Sequence, residues 1–264
     1  MSTTEPLGRS APPPPPVVAQ DLALSDLTAA LAEGWRDFLA MPQFGLFFGG
    51  VYVLTGLVIG YVAFVGEELS WLIPATAGFP LIAPFVAVGL YEASRRREQG
   101  KALTWGGVLA ALKGHGDDQI LSMGVIVFVA FGFWTIVAHA IFAIFLSESG
   151  ISAHGGAAML EAFLTPAGLS MLGIGSLVGA IMAYAFYAMT VISLPMLVDR
   201  QVDFLTAIIT RLKTVRANGV IMLIWAAIIA AFLFIAMLPG FLGLFVALPV
   251  LGHATWHLYR RVVA

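Results

Sequence analysis

His253 and His257 stand one helical turn apart near the end of the last apolar stretch of the chain. Imidazoles at i and i+4 project from one helix face, the spacing that lets two ring nitrogens reach one metal ion. A haem would ask instead for one imidazole facing a large apolar pocket. The other histidines are His115, His139 and His154, and there is no cysteine. That removes thiolate metal sites, iron–sulfur clusters, disulfides and a cysteine nucleophile. Around the pair lie Trp256, Tyr259 and Arg260, the composition of an interfacial anchor. His253 and His257 are therefore candidate haem or metal ligands, with anchoring the reading that their neighbours favour. No metal or cofactor is expected.

Two carboxylates close apolar stretches: Glu92, followed by Arg95 and Arg96, and Asp199, followed by Arg200. A carboxylate at a helix C-terminus opposes the macrodipole unless a cation answers it. The expected role of these five residues is a cytoplasmic belt of ion pairs. Gly175, Gly179 and Ala183 are spaced four apart and form a small-residue seam where another helix backbone can approach closely. That seam suits an internal contact or self-association. The chain has no Walker sequence, nucleophile elbow, HExxH pair or dinucleotide fingerprint. No catalytic constellation is found, and the expectation is a protein that is not an enzyme.

These residues must be positioned by helices in lipid. The chain has 264 residues, 60% hydrophobic and only 11% charged. Six stretches without Asp, Glu, Lys or Arg run at about 44–65, 71–91, 119–145, 168–198, 218–238 and 241–259. A transmembrane helix needs roughly 20 such residues. All thirteen Lys and Arg fall in the N-terminal arm, the second and fourth loops and the tail. The positive-inside rule then predicts an all-α bundle of six transmembrane helices with both termini cytoplasmic, in a bacterial inner membrane. A net charge of −2, without a basic stripe, gives no reason to expect a nucleic-acid partner.

Residues 1–20, with five prolines from Pro12 to Pro16, read as a disordered cytoplasmic arm ahead of a membrane domain at 21–264. Before each odd span lies an amphipathic segment. In 25–39 the apolar stripe is Leu27, Leu31, Trp35 and Phe38, with Asp26, Glu33 and Asp37 away from it. Residues 103–113 and 202–216 repeat the pattern, and such helices suit the interface plane. The second and sixth spans also end alike: Pro84, Tyr91, Arg95 and Arg96 recur at a fixed offset as Pro249, Trp256, Arg260 and Arg261, with a shorter echo from Pro195 to Arg200. The predicted architecture is three helical-hairpin repeats, each preceded by an interfacial helix. Pro74, Pro80 and Pro84 predict kinks in the second span.

The run Gly89 to Arg97, taken with Leu194 to Arg200, resembles a bacterial family of uncharacterised, predicted integral membrane proteins. The likeness covers most of the chain after about residue 25. Members are sometimes labelled cytochrome c oxidase subunit I. The residues do not support that label, because such a subunit holds two haems and a copper on intramembrane histidines. Here His115 and His154 fall in loops, which leaves too few ligands. The function expected is that of a multi-pass accessory or assembly partner of a membrane complex, packing against another integral membrane protein or itself. The alternatives are a small-solute transporter or channel, and haem or metal binding through His253 and His257.

Overall fold

The computed structural model describes residues 17–65, 83–111, 119–146, 161–200, 202 and 204–263. The N-terminal arm before residue 17, the outer half of the second apolar stretch with Pro74 and Pro80, and the loops carrying His115 and His154 lie outside the described residues.

Within them the chain is all-helical: α1 (Leu24–Ala40), α2 (Pro42–Val65), α3 (Ala83–Glu98), α4 (Trp105–Ala110), α5 (Gln119–Leu146), α6 (Pro166–Thr190), α7 (Ser193–Asp199), α8 (Phe204–Ala217), α9 (Gly219–Met237) and α10 (Leu244–Val262). The starts follow local chemistry. The Asp26 carboxylate accepts from the Ala23 amide at 2.9 Å and closes the first turn of α1. Pro42 opens α2, where its missing N–H costs nothing. Thr165 caps α6 by accepting from Gly168 N at 3.1 Å, with Pro166 behind it. Four helical stretches are long and apolar enough to cross a membrane: Pro42–Tyr61, Ser122–Phe145, Pro166–Asp199 and Gly219–Met237. Their outer faces are bare hydrocarbon: Phe128 on α5 is 74% exposed and Val220 on α9 73%, surface that water would penalise and lipid solvates.

The fourth apolar stretch is not one rod. It turns at Val191–Ile192 between α6 and α7, because Pro195 has no N–H to give the Val191 carbonyl.

α1 and α2 together form a rod, bent at Met41, that runs antiparallel along α10. Arg261 meets Asp26 at 3.1 Å. A Cβ on Gly34 would lie 2.6 Å from both Val250 O and Ala254 N, and one on Gly49 would lie 3.1 Å from Leu244 O. Glycine is what lets these backbones touch. The chain ends are pinned to each other: Val18 bridges Val263, Ala19 N donates to Val262 O at 2.9 Å, and Asn218 Nδ2 donates to Ala19 O at 2.7 Å.

α3, α7 and α10 end side by side in the most buried part of the molecule, where Leu194, Met196, Trp256, Leu258 and Tyr259 are sealed from solvent. Each short helix leans on one of those ends. Gly107 of α4 lies against the Arg96 guanidinium of α3. On α7, the Ser193 hydroxyl donates to Ala207 O of α8 at 3.3 Å. α1 leans on α10.

Candidate functional site: a buried carboxylate and an apolar cleft

The buried face of α1 is Leu27, Ala30, Gly34, Asp37 and Phe38, while Trp35 is 46% exposed. This corrects the sequence expectation that Asp37 faces away from the apolar stripe. Its carboxylate is 1% exposed, wedged between α3 and α10. Charge buried so deeply needs several donors, and Asp37 has them. Ser94 Oγ donates to Oδ2 at 2.5 Å, His257 Nε2 lies 3.0 Å from the same oxygen, and an Arg97 guanidinium nitrogen bonds Oδ1. Burial pushes the Asp37 carboxyl up, but the bonds from His257 and Ser94 and the field of both imidazoles outweigh it and hold the group below its ordinary value.

Ser94 Oγ also lies 2.7 Å from His253 Nδ1. A hydroxyl has one proton, and the carboxylate can only accept. Ser94 therefore donates to Asp37 and accepts from Nδ1–H, which assigns the His253 tautomer from the bonding pattern. Serine, histidine and aspartate are the residue types of a hydrolytic triad, yet the order here is different. The hydroxyl sits between the other two groups, its proton is spent on the carboxylate, and Ser94 is 1% exposed.

His253 and His257 thus share a carboxylate that sequence reasoning missed. Among the described residues no group of three His, Cys, Asp or Glu side chains is placed to hold a metal. His139 is half-buried on α5 and is not a partner of Asp37. Glu92 accepts from Arg95 at 2.7 and 3.0 Å and from Arg96 at 2.7 Å. Asp199 accepts from Tyr259 OH at 2.8 Å and stands 3.4 Å from Arg260 and 3.7 Å from Arg200. Glu98 joins this layer through Trp256 Nε1 at 3.1 Å and Arg260 at 3.0 Å. Of the small-residue seam, Gly179 faces the Trp134 ring of α5, Gly175 faces Ile141 more loosely, and Ala183 lines a cleft.

That cleft has a volume of about 340 Å³ and lies between α3, α6, α9 and α10. Its walls are mostly alanine and leucine, with Gly252 in the α10 wall, and none of its lining residues is charged. Hydroxyls gather in the C-terminal halves of α3, α6 and α10: Tyr91, Tyr184, Tyr187, Thr190 and Thr255. Tyr187 donates to Met222 O at 2.8 Å and Thr190 to Phe186 O at 2.9 Å. The Tyr91 and Thr255 hydroxyls make no hydrogen bond to any other described residue.

Lipid-facing helices closed at one end by a layer of ion pairs define an integral membrane protein with several membrane-spanning helices. Residues 72–199 match the model of a family described as "Predicted integral membrane protein (DUF2189)", and that stretch of the chain is similar to this uncharacterised family. No curated protein and no solved structure matches the chain.

Proposed function

We propose that the chain is a six-span, non-enzymatic protein of the bacterial inner membrane, with both termini cytoplasmic, that holds a small apolar solute between its helices. The carrying observation is the cleft. Pairing the six predicted spans into hairpins assigns α3 to the first, α6 to the second and α9 with α10 to the third, so all three contribute walls. A charge-free cavity of about 340 Å³ falls within the size of ordinary small-molecule sites. The packing of α4 on α3, α8 on α7 and α1 on α10 supports three hairpin repeats, since each short helix leans on the end of the preceding hairpin and the last closes on the first.

Native mass spectrometry of the protein purified from its own membrane tests the reading. A bound molecule of defined mass is expected on the wild type and absent from Ala183→Phe/Ala227→Phe, whose new rings fill the cleft. A wild-type protein that carries nothing after mild detergent extraction would remove the support for solute binding.

A second reading, an accessory or assembly partner of a membrane complex, rests on α8. Leu205, Ile209 and Leu212 share one face and are 56%, 44% and 52% exposed on a helix beside the charged layer. Co-purification at native expression with a defined integral membrane partner, lost in Ile209→Glu, would favour it. A wild type that purifies alone would count against it.

A further inference from the structure

We infer that the solute of the cleft is a neutral single-chain lipid whose hydroxyl or carbonyl head bonds Tyr91 and Thr255. This rests on the solute-binding reading above and adds the ligand's chemistry. The cleft is a slot: its α9 wall runs from Leu223 to Leu233, about 15 Å at 1.5 Å per residue. Such a length at about 340 Å³ suits one extended chain.

The two ends differ. Towards Leu233 and Leu248 the lining is hydrocarbon, and towards Tyr91 and Thr255 it carries hydroxyls. Tyr91 is 3% and Thr255 5% exposed, and neither hydroxyl bonds another described residue. A buried hydroxyl without a partner leaves hydrogen-bonding capacity that a ligand head can satisfy. Both groups can donate and accept, so a hydroxyl, ester or ketone oxygen fits them.

The head is neutral because the neighbouring cations are already taken. Arg95 and Arg96 are bound to Glu92, and Arg260 is shared by Glu98 and Asp199. A phosphate or carboxylate at this end would find no uncommitted guanidinium among them, and no cation lines the cleft. An uncharged head needs no such partner.

Photolabelling of the full chain in detergent tests this, using a diazirine-tagged monoacylglycerol, the matching tagged fatty acid and a tagged alkane. The acylglycerol should label peptides containing Tyr91 and Ala230 saturably. Tyr91→Phe/Thr255→Val, which keeps shape and removes both hydroxyls, should lower that labelling about tenfold, the loss of one or two hydrogen bonds. Alkane labelling should be unchanged in the same variant. Equal acylglycerol labelling of variant and wild type would overturn the head-group assignment. Labelling by the fatty acid as strong as by the acylglycerol would overturn neutrality. If the folded cleft-filling variant Ala183→Phe/Ala227→Phe labels like the wild type with all three probes, the cleft is not the site and the solute reading falls with the inference.

Discussion

Ser94 and Asp37 meet at 2.5 Å across the junction of α3 and α1, and the same hydroxyl sits 2.7 Å from His253 Nδ1 of α10. One serine therefore joins three helices. Removing it in Ser94→Ala takes a donor from a buried carboxylate and an acceptor from a buried imidazole. Unsatisfied buried groups cost about 1–3 kcal/mol each. The variant should unfold at a lower temperature than wild type in detergent, by more than Ser170→Ala, whose hydroxyl lies on the exposed face of α6 and bonds only its own backbone. Equal melting temperatures would show that this junction contributes little.

The same centre sets an acid limit. The folded-state pKa of Asp37 lies below its value in the unfolded chain. The unfolded chain therefore takes up the proton first as pH falls. The stabilisation is complete above the unfolded value of about 4 and is lost as pH drops through the lower folded value. Melting temperature measured down to about pH 3 should fall more steeply for wild type than for Asp37→Asn, which has no carboxylate to titrate. At neutral pH the order reverses in absolute terms: Asp37→Asn starts lower, because Arg97 loses its counter-charge. Parallel curves for the two proteins would rule out Asp37 as the source of the slope.

At Gly34 the backbones of α1 and α10 pack directly against each other. Any Cβ there would press on backbone atoms, Val250 O and Ala254 N, which cannot rotate aside. Gly34→Ala gains helix propensity of about 1 kcal/mol but forces the helices apart, and overpacking of this kind costs about 1–3 kcal/mol. A net loss of stability is expected, together with a weaker His257–Asp37 contact, seen as a change in the His257 imidazole NMR signals. A stabilised variant would mean that α1 does not pack this way.

How much of this was legible in sequence depends on the residue. Within the described residues the apolar stretches became helices because charge-free runs of that length have few other options, and Glu92 found Arg95 and Arg96 because those lie within a turn of it, whereas Asp199, besides its neighbour Arg200, bonds Tyr259 and Arg260 from 60 and 61 positions away. Asp37 was not legible. Its partners are 57, 60 and 220 positions away in the chain, so nothing local marks them. The misleading signal was Trp35. An apolar residue was assigned to the buried stripe, whereas Ala30 and Gly34 line the true contact face. Close helix packing in membranes selects small residues as much as oily ones, and reading α1 by smallness would have put Asp37 on the inside. The break at Val191–Ile192 had a visible cause in Pro195, which read as a repeat marker and not as a stop.

The small-residue seam makes a finer prediction. A Cβ on Gly179 would stand 3.0 Å from the tip of the Trp134 ring, while one on Gly175 would stand 3.8 Å from Ile141, an ordinary contact. Gly175→Ala meets no clash and should gain up to about 1 kcal/mol from helix propensity. Gly179→Ala should lose about 1–3 kcal/mol by overpacking and shift Trp134 fluorescence. An unchanged Trp134 signal in Gly179→Ala would show that the seam does not pack on α5.

Sidedness has a clean test because the chain contains no cysteine. Gln99 and Lys213 are exposed at the charged end, and Leu238 is 68% exposed in the turn after α9. If lipid surrounds the bundle with its arginines facing the cytoplasm, Gln99→Cys and Lys213→Cys should react with a membrane-impermeant maleimide only after the inner membrane is opened. Leu238→Cys should react in intact spheroplasts. All three lie on turns or helix faces away from Asp37 and the cleft, so the replacements leave the fold intact. Labelling of Gln99→Cys and Lys213→Cys from opposite sides would break the even number of crossings between α3 and α8, and with it the three-hairpin arrangement that places the cleft between all three pairs.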